Sequence, residues 1–128
     1  MTEATEDVFG PVIHAYTRAQ ALEDGVLVDV SKVAAEAGFR VPVAITQGLD
    51  ADIRDIPPSK SFQDYDGRLW DVLYVGRCMA SRTANGVDTV RYNLIMHKGR
   101  KSWYTVKMVI GPGDNGECVI TLMRPDED

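Results

Sequence analysis

Cysteine and histidine are both scarce in this chain of 128 residues: Cys78 and Cys118, His14 and His97, and no others. Two cysteines cannot build a stapled framework or, alone, a four-ligand zinc site. A hydrolytic triad needs a nucleophile, a base and an orienting acid brought together, and no spacing ties either histidine to a serine or cysteine. No catalytic residue and no metal ligand is nominated, no cofactor is expected, and the balance leans away from an enzyme. Long apolar runs are also missing; none approaches the roughly 18–20 residues that cross a bilayer. The opening Met1-Thr2-Glu3-Ala4-Thr5-Glu6-Asp7 is acidic, without the basic and then apolar stretches of a secretory signal. These absences lead to the expectation of a soluble, cytoplasmic protein with no membrane partner.

What is present is the mixture of an ordinary globular domain, 45% apolar and 26% charged. The length suits one domain and is short for two. The expected organisation is an acidic tail over 1–7, a single α+β domain over 8–125 and an acidic end over 126–128. The net charge of -5 is carried by the ends, where Glu3, Glu6, Asp7, Asp126, Glu127 and Asp128 have no basic neighbour. Residues 67–107 are the reverse, with Arg68, Arg77, Arg82, Arg91, Lys98, Arg100, Lys101 and Lys107 against only Asp71 and Asp88. Such asymmetry marks either a face for an anionic partner or a set of solvated bases whose acidic partners the fold supplies.

Periodicity divides the chain into helices followed by strands. Phe9-Gly10-Pro11-Val12-Ile13 reads as an extended entry. Thr17-Arg18-Ala19-Gln20 has the hydroxyl and the amide, three residues apart, of a capping box, and the helix it opens can end at Gly25. Val26 to Val30 is β-branched enough for a short strand. Ser31 is a candidate N-cap for a second helix, Lys32 to Ala37, closed by Gly38. Pro42 suits the first turn of a third helix, with Ile45, Leu49 and Ile53 as its buried stripe. Asp55-Ile56-Pro57-Pro58-Ser59-Lys60 is a loop, and the longest helix is predicted from Gly67 to Arg82, with Leu69, Val72, Leu73 and Met79 on one stripe and Trp70 beside it.

From Val90 the period becomes 2. Val90, Tyr92, Leu94 and Met96 alternate with Arg91, Asn93 and Ile95; a turn over residues 97–101 follows, and Tyr104, Val106, Met108 and Ile110 then alternate with Trp103, Thr105, Lys107 and Val109. Gly111 to Gly116 makes a second loop before a third strand, Glu117 to Met123. These runs predict an antiparallel meander. The fold class is therefore α+β, with the N-terminal helices packed on a small antiparallel β-meander and the Val26–Val30 strand joined to its sheet.

Several groups invite a chemical reading beside a plainer one. Cys78 in the long helix suits a small buried side chain better than a reactive thiol. Gly111-Pro112-Gly113-Asp114 has glycines but is followed by a strand, whereas a phosphate cradle needs a helix there. Asp50, Asp52 and Asp55 lack the ordered spacing of a calcium loop and suit a solvated helix end. The hairpin around residues 97–107 interleaves bases with Trp103 and Tyr104, a composition suited to phosphate contact and base stacking. Tyr104 falls on the core-facing set, which leaves Trp103 as the exposed ring.

Taken together, Val8-Phe9-Gly10-Pro11-Val12-Ile13, the stretch Tyr16-Thr17-Arg18-Ala19-Gln20-Ala21-Leu22-Glu23-Asp24-Gly25-Val26-Leu27-Val28-Asp29-Val30, Gly67-Arg68-Leu69-Trp70-Asp71-Val72-Leu73, Gly111-Pro112-Gly113-Asp114 and the closing Val119-Ile120-Thr121-Leu122-Met123-Arg124-Pro125-Asp126-Glu127-Asp128 resemble a family of small uncharacterised bacterial proteins carried on plasmids and other mobile elements. The chain departs from that pattern at Asp50, where a tryptophan is expected. The resemblance implies a self-contained domain and carries no established activity. Small proteins of mobile elements often counter host defences, an association rather than a physical argument. The expected function is a non-enzymatic binding protein, an inhibitor of a host defence system of the anti-CRISPR or anti-restriction kind. Its partner is expected to be a host protein or a protein–nucleic-acid complex, with direct nucleic-acid contact open. The nominated contact residues are Arg91, Lys98, Arg100, Lys101 and Trp103. Two alternatives stay open: a reduced nucleotide-handling transferase of the ADP-ribosyltransferase kind, motivated by His14 and Tyr16, and a regulatory or maintenance subunit of a plasmid system. The oligomeric state is left undecided.

Overall fold

A computed structural model describes residues 16–58, 64–83, 86–98 and 100–127; at 97, 98 and 100–102 it describes the backbone alone. The expected entry segment and His14 lie outside these residues. In chain order the elements are α1 (Arg18–Glu23), β1 (Leu27–Asp29), α2 (Ser31–Glu36), β2 (Val43–Thr46), α3 (Gln47–Arg54), α4 (Tyr65–Ser81), β3 (Thr89–Lys98), β4 (Arg100–Pro112) and β5 (Cys118–Met123). The strands form one mixed sheet in the order β1-β2-β5-β4-β3, in which only the β2–β5 pairing is parallel. The fold is α+β: a meander of β3, β4 and β5, extended by β2 and β1, with helices against it.

Local chemistry accounts for most boundaries. Thr17 opens α1 with the full capping box, its hydroxyl accepting from Gln20 N–H while the Gln20 side chain accepts from Thr17 N–H. The turn after α1 passes through Gly25 at φ 79°, a left-handed conformation that glycine adopts without Cβ strain. Asp64 caps α4 by accepting from Gly67 N–H at 2.7 Å.

Two expectations are corrected. Residues from Pro42 do not begin a helix: Val43–Thr46 is a strand, and α3 starts only at Gln47, with Thr46 as its N-cap. Ile45, Leu49 and Ile53 do share the core, but Ile45 reaches it from the strand and the other two from the helix. Val43, Ala44 and Ile45 are all buried because β2 is covered on both faces, so the run lacks the alternation that marks a half-exposed strand. Ser31 is not an N-cap either; Val30 holds that position. The Ser31 hydroxyl donates to Asp29 and accepts from Val43 N–H at 3.0 Å, tying the start of α2 to β2.

The main core lies between α2, α3 and α4 and one sheet face, where Val43, Ile45, Tyr92, Leu94, Val106, Met108, Ile120 and Leu122 meet Ala34, Leu49, Ile53, Leu69, Val72 and Leu73. Gly76 lets α4 approach closely: a Cβ there would stand 2.7 Å from the Tyr92 hydroxyl oxygen and 3.0 Å from Met108 Cε. The Tyr92 hydroxyl donates to the Val72 carbonyl at 2.7 Å, so the one polar atom of that ring is satisfied inside the core.

Helix α1 sits on the opposite, outer face. Its Arg18 side chain donates to the Thr121 hydroxyl and the Ile120 carbonyl at 2.7 and 2.9 Å. Asp114 accepts from the backbone N–H groups of Arg18 and Ala19, at the positive end of the helix. The glycine-rich loop is thus a hairpin connection whose aspartate anchors α1.

Candidate binding surface on the outer sheet face

Register decides which hairpin residues share a surface. Arg91 pairs with Lys107, Asn93 with Thr105, and Ile95 with Trp103. Alternate strand positions point to the same side, so these six side chains form a ladder on the outer face while Tyr92, Leu94, Val106 and Met108 enter the core.

The ladder changes character along its length. At one end Lys107 is only 9% exposed, and its ammonium donates to the Glu127 carbonyl. Glu127 also accepts from the Thr46 hydroxyl at 2.8 Å and from Arg124 N–H at 2.7 Å, so the end of the chain folds onto this corner. Across the ladder from Lys107, Arg91 is exposed, as is Asn93 on the next rung; at the other end Ile95 is half-buried and Trp103 is 72% exposed. Thr105 donates to the Asn93 amide oxygen across the strands at 2.7 Å. Farther along β4, a Cβ placed on Gly111 would meet nothing within 4 Å. Among the described residues, no helix covers the Arg91–Trp103 part of the face and no carboxylate pairs with Arg91.

The nominated residues therefore divide. Arg91 and Trp103 are on one open face. Lys98, Arg100 and Lys101 belong to the paired backbone at the hairpin end, where Lys98 faces Arg100 and Lys101 faces His97; their side chains lie outside the described residues. The strands run to either side of Gly99, so the expected five-residue turn is absorbed into the ladder.

Three bases of the 67–107 segment are turned toward backbone carbonyls instead of a partner. Arg68 is 5% exposed and donates to the carbonyl of Asp55 at 3.0 Å, with those of Ile53 and Asp52 at 3.2 and 3.3 Å from the same nitrogen. These groups end α3, where a cation offsets the negative end of the helix. Burial pulls the Arg68 pKa down from its ordinary value, against the opposing pull of Asp55. Arg77 donates to the Gly38 carbonyl at 3.0 Å, and Lys107 to that of Glu127. Among the described bases of this run, Arg91 is exposed on the sheet face and Arg82 at the end of α4, while Arg68, Arg77 and Lys107 are ties to backbone carbonyls.

The acidic residues of α3 are also committed. Asp52 accepts from Arg124 Nε and Nη2, both at 2.9 Å, and from the Tyr104 hydroxyl. Asp50 accepts from Arg54 Nε at 2.8 Å and from the Tyr65 hydroxyl at 2.6 Å, while the Arg54 guanidinium lies 4.4 Å from the Tyr65 ring centre. Asp52 holds the Arg124 pKa above its usual value, and burial followed by the Asp52 hydrogen bond pushes Tyr104 up. These ties stitch α3 to β4 and to the end of β5, and they account for an aspartate at position 50. Tyr16, one motive for the transferase alternative, donates its hydroxyl to Asp24 at 2.6 Å.

A second exposed aromatic feature went unmarked in the sequence. Trp70 and Tyr74 stack on the outward side of α4 with ring centres 6.0 Å apart. Their i, i+4 spacing was the available signal.

The elements define an α+β protein with a five-stranded mixed sheet whose outer face, among the described residues, is uncovered around Arg91 and Trp103. Residues 4–128 match a family of unknown function (DUF6573), and the chain belongs to that family. No curated protein and no solved structure matches it. Among the described residues, no helix is long and apolar enough to cross a membrane.

Proposed function

We propose that the chain is a non-enzymatic binding protein whose contact surface is the outer face of the β3–β4 hairpin, centred on Arg91 and Trp103. The observation that carries this reading is the placement of an exposed indole and an exposed guanidinium on the same ladder, with Ile95 and Asn93 between them. Tryptophan and arginine dominate the energetics of protein interfaces, and the same pair suits a nucleic-acid strand, the base stacking on the ring and the phosphate meeting the cation. The partner is a host protein or a protein–nucleic-acid complex. The finer reading, a mobile-element protein that inhibits a restriction or CRISPR complex, is supported by the sequence resemblance alone.

Affinity purification of the tagged chain from its host, with and without nuclease, tests the reading. A partner held by wild type and lost by the Arg91→Glu, Trp103→Ala double variant, with unchanged thermal unfolding, is the expected result; nuclease sensitivity assigns nucleic acid to the contact. Undiminished capture by the folded double variant removes the hairpin from consideration. The defence reading is tested separately, by whether expression protects incoming plasmid or phage DNA from restriction or CRISPR interference.

A further inference from the structure

The sheet has two edges, and they differ. β1 is three residues long, whereas β3 is ten residues long and pairs continuously with β4, with no bulge in its register and no proline in its sequence. Natural sheets usually protect an edge by shortness, proline, a bulge, charge or a covering element. β1 uses the first device; on β3 the described face carries only Arg91 as a charge.

The hydrogen-bond phase shows which backbone groups are left over. Ile110 N–H donates to the Asp88 carbonyl at 2.8 Å, so Asp88 and Ile110 form a hydrogen-bonded pair. Antiparallel ladders alternate such pairs with non-bonded ones. Val90, Tyr92, Leu94 and Met96 therefore direct their N–H and C=O groups to β4. Thr89, Arg91, Asn93 and Ile95 direct theirs away from the sheet. The β4–β5 ladder has the matching phase, because Gly113 N–H donates to the Glu117 carbonyl in the same register as Lys107 with Met123. Among the described residues, nothing bonds to the outward groups of β3.

We infer that β3 pairs antiparallel with β3 of a second copy of this chain, joining two five-stranded sheets into one. The strand is self-complementary about Asn93. A two-fold register there sets Asn93 opposite Asn93 of the partner subunit and Arg91 opposite Ile95 of the partner subunit. All four are residues with outward backbone groups, so every facing pair can exchange both hydrogen bonds. No like charges meet in this register, whereas centring on Arg91 would oppose two guanidiniums. The pairing leaves the Trp103 faces open and makes them continuous across the dimer, so it stands independently of any host partner.

Light scattering on the purified chain, together with amide exchange, tests the inference. Wild type is expected at twice the chain mass, with the Arg91, Asn93 and Ile95 amides protected and the protection lost on dilution to monomer. Asn93→Pro removes an outward N–H and none from the β3–β4 ladder; it is expected to be a folded monomer, as is Ile95→Lys. A wild type that stays monomeric at high concentration overturns the inference. So does a dimer whose outward amides exchange freely, or one that survives both folded variants. Protection that persists in the monomer also overturns it, because the edge would then be covered from within one chain.

Discussion

Gly76 of α4 and Tyr92 of β3 meet so closely that the helix has no room for a methyl group: an added Cβ would stand 2.7 Å from the tyrosine hydroxyl oxygen. That hydroxyl is held by the Val72 carbonyl on the same helix. The contact sets the distance between α4 and the hairpin that carries the outer face.

Alanine is the better helix former by about 1 kcal/mol, yet Gly76→Ala is expected to destabilise the fold by about 1–3 kcal/mol through overpacking. Urea unfolding measures it. In a Tyr92→Phe background the same change should cost less, because the nearest clashing atom is gone. Equal costs in both backgrounds would assign the effect to another contact.

Asp52 joins α3 to Tyr104 and Arg124, so Asp52→Asn should lower stability by about 1–2 kcal/mol, the smaller part of the usual range because Arg124 is partly exposed. Tyr104 extends the account to alkaline pH. Its native pKa is raised above that of the unfolded chain, chiefly by burial and then by Asp52. The native state holds this proton more tightly, so the contribution is complete below about pH 10 and is lost as pH rises further. Tyr104→Phe should flatten that decline in melting temperature.

Acid reverses the sign. The N–H groups of Arg18 and Ala19 hold the Asp114 carboxyl below its ordinary pKa. The unfolded chain then takes up this proton first, so the contribution is full above about pH 4 and disappears as pH falls through the lower native value. Melting temperatures from pH 2 to 6 should fall less steeply for Asp114→Asn than for wild type.

The features legible in the sequence are those with local causes. The Thr17 capping box, the Gly25 turn and the alternation that separates Arg91, Asn93 and Ile95 from Tyr92 and Leu94 need only neighbours along the chain. β2 was hidden because Val43, Ala44 and Ile45 are buried on both faces, and because Ile45 happens to lie four residues before Leu49. The internal use of Arg68 and Lys107 was hidden for a related reason: their acceptors are carbonyls at Asp55 and Glu127, distant in sequence and unmarked by side-chain type. Of the nominated surface, the placement of Arg91 and Trp103 on one face follows from parity once the hairpin register is known.

Arg68 offers a further test, since it is buried against the end of α3. Arg68→Met keeps much of the volume and leaves the α3 carbonyls without their donor, at an expected cost of about 1–3 kcal/mol. Exchange of the α3 amides should quicken more than that of β4. Uniform quickening would mean that the loss is global.

The central claim is that a partner covers Trp103. The chain has two tryptophans, Trp70 and Trp103, so Trp70→Phe leaves Trp103 as the only indole reporter. On addition of the purified partner, its emission should shift to the blue and its quenching by iodide should fall. A saturated complex in which Trp103 keeps the emission and quenching of the free protein would contradict the account.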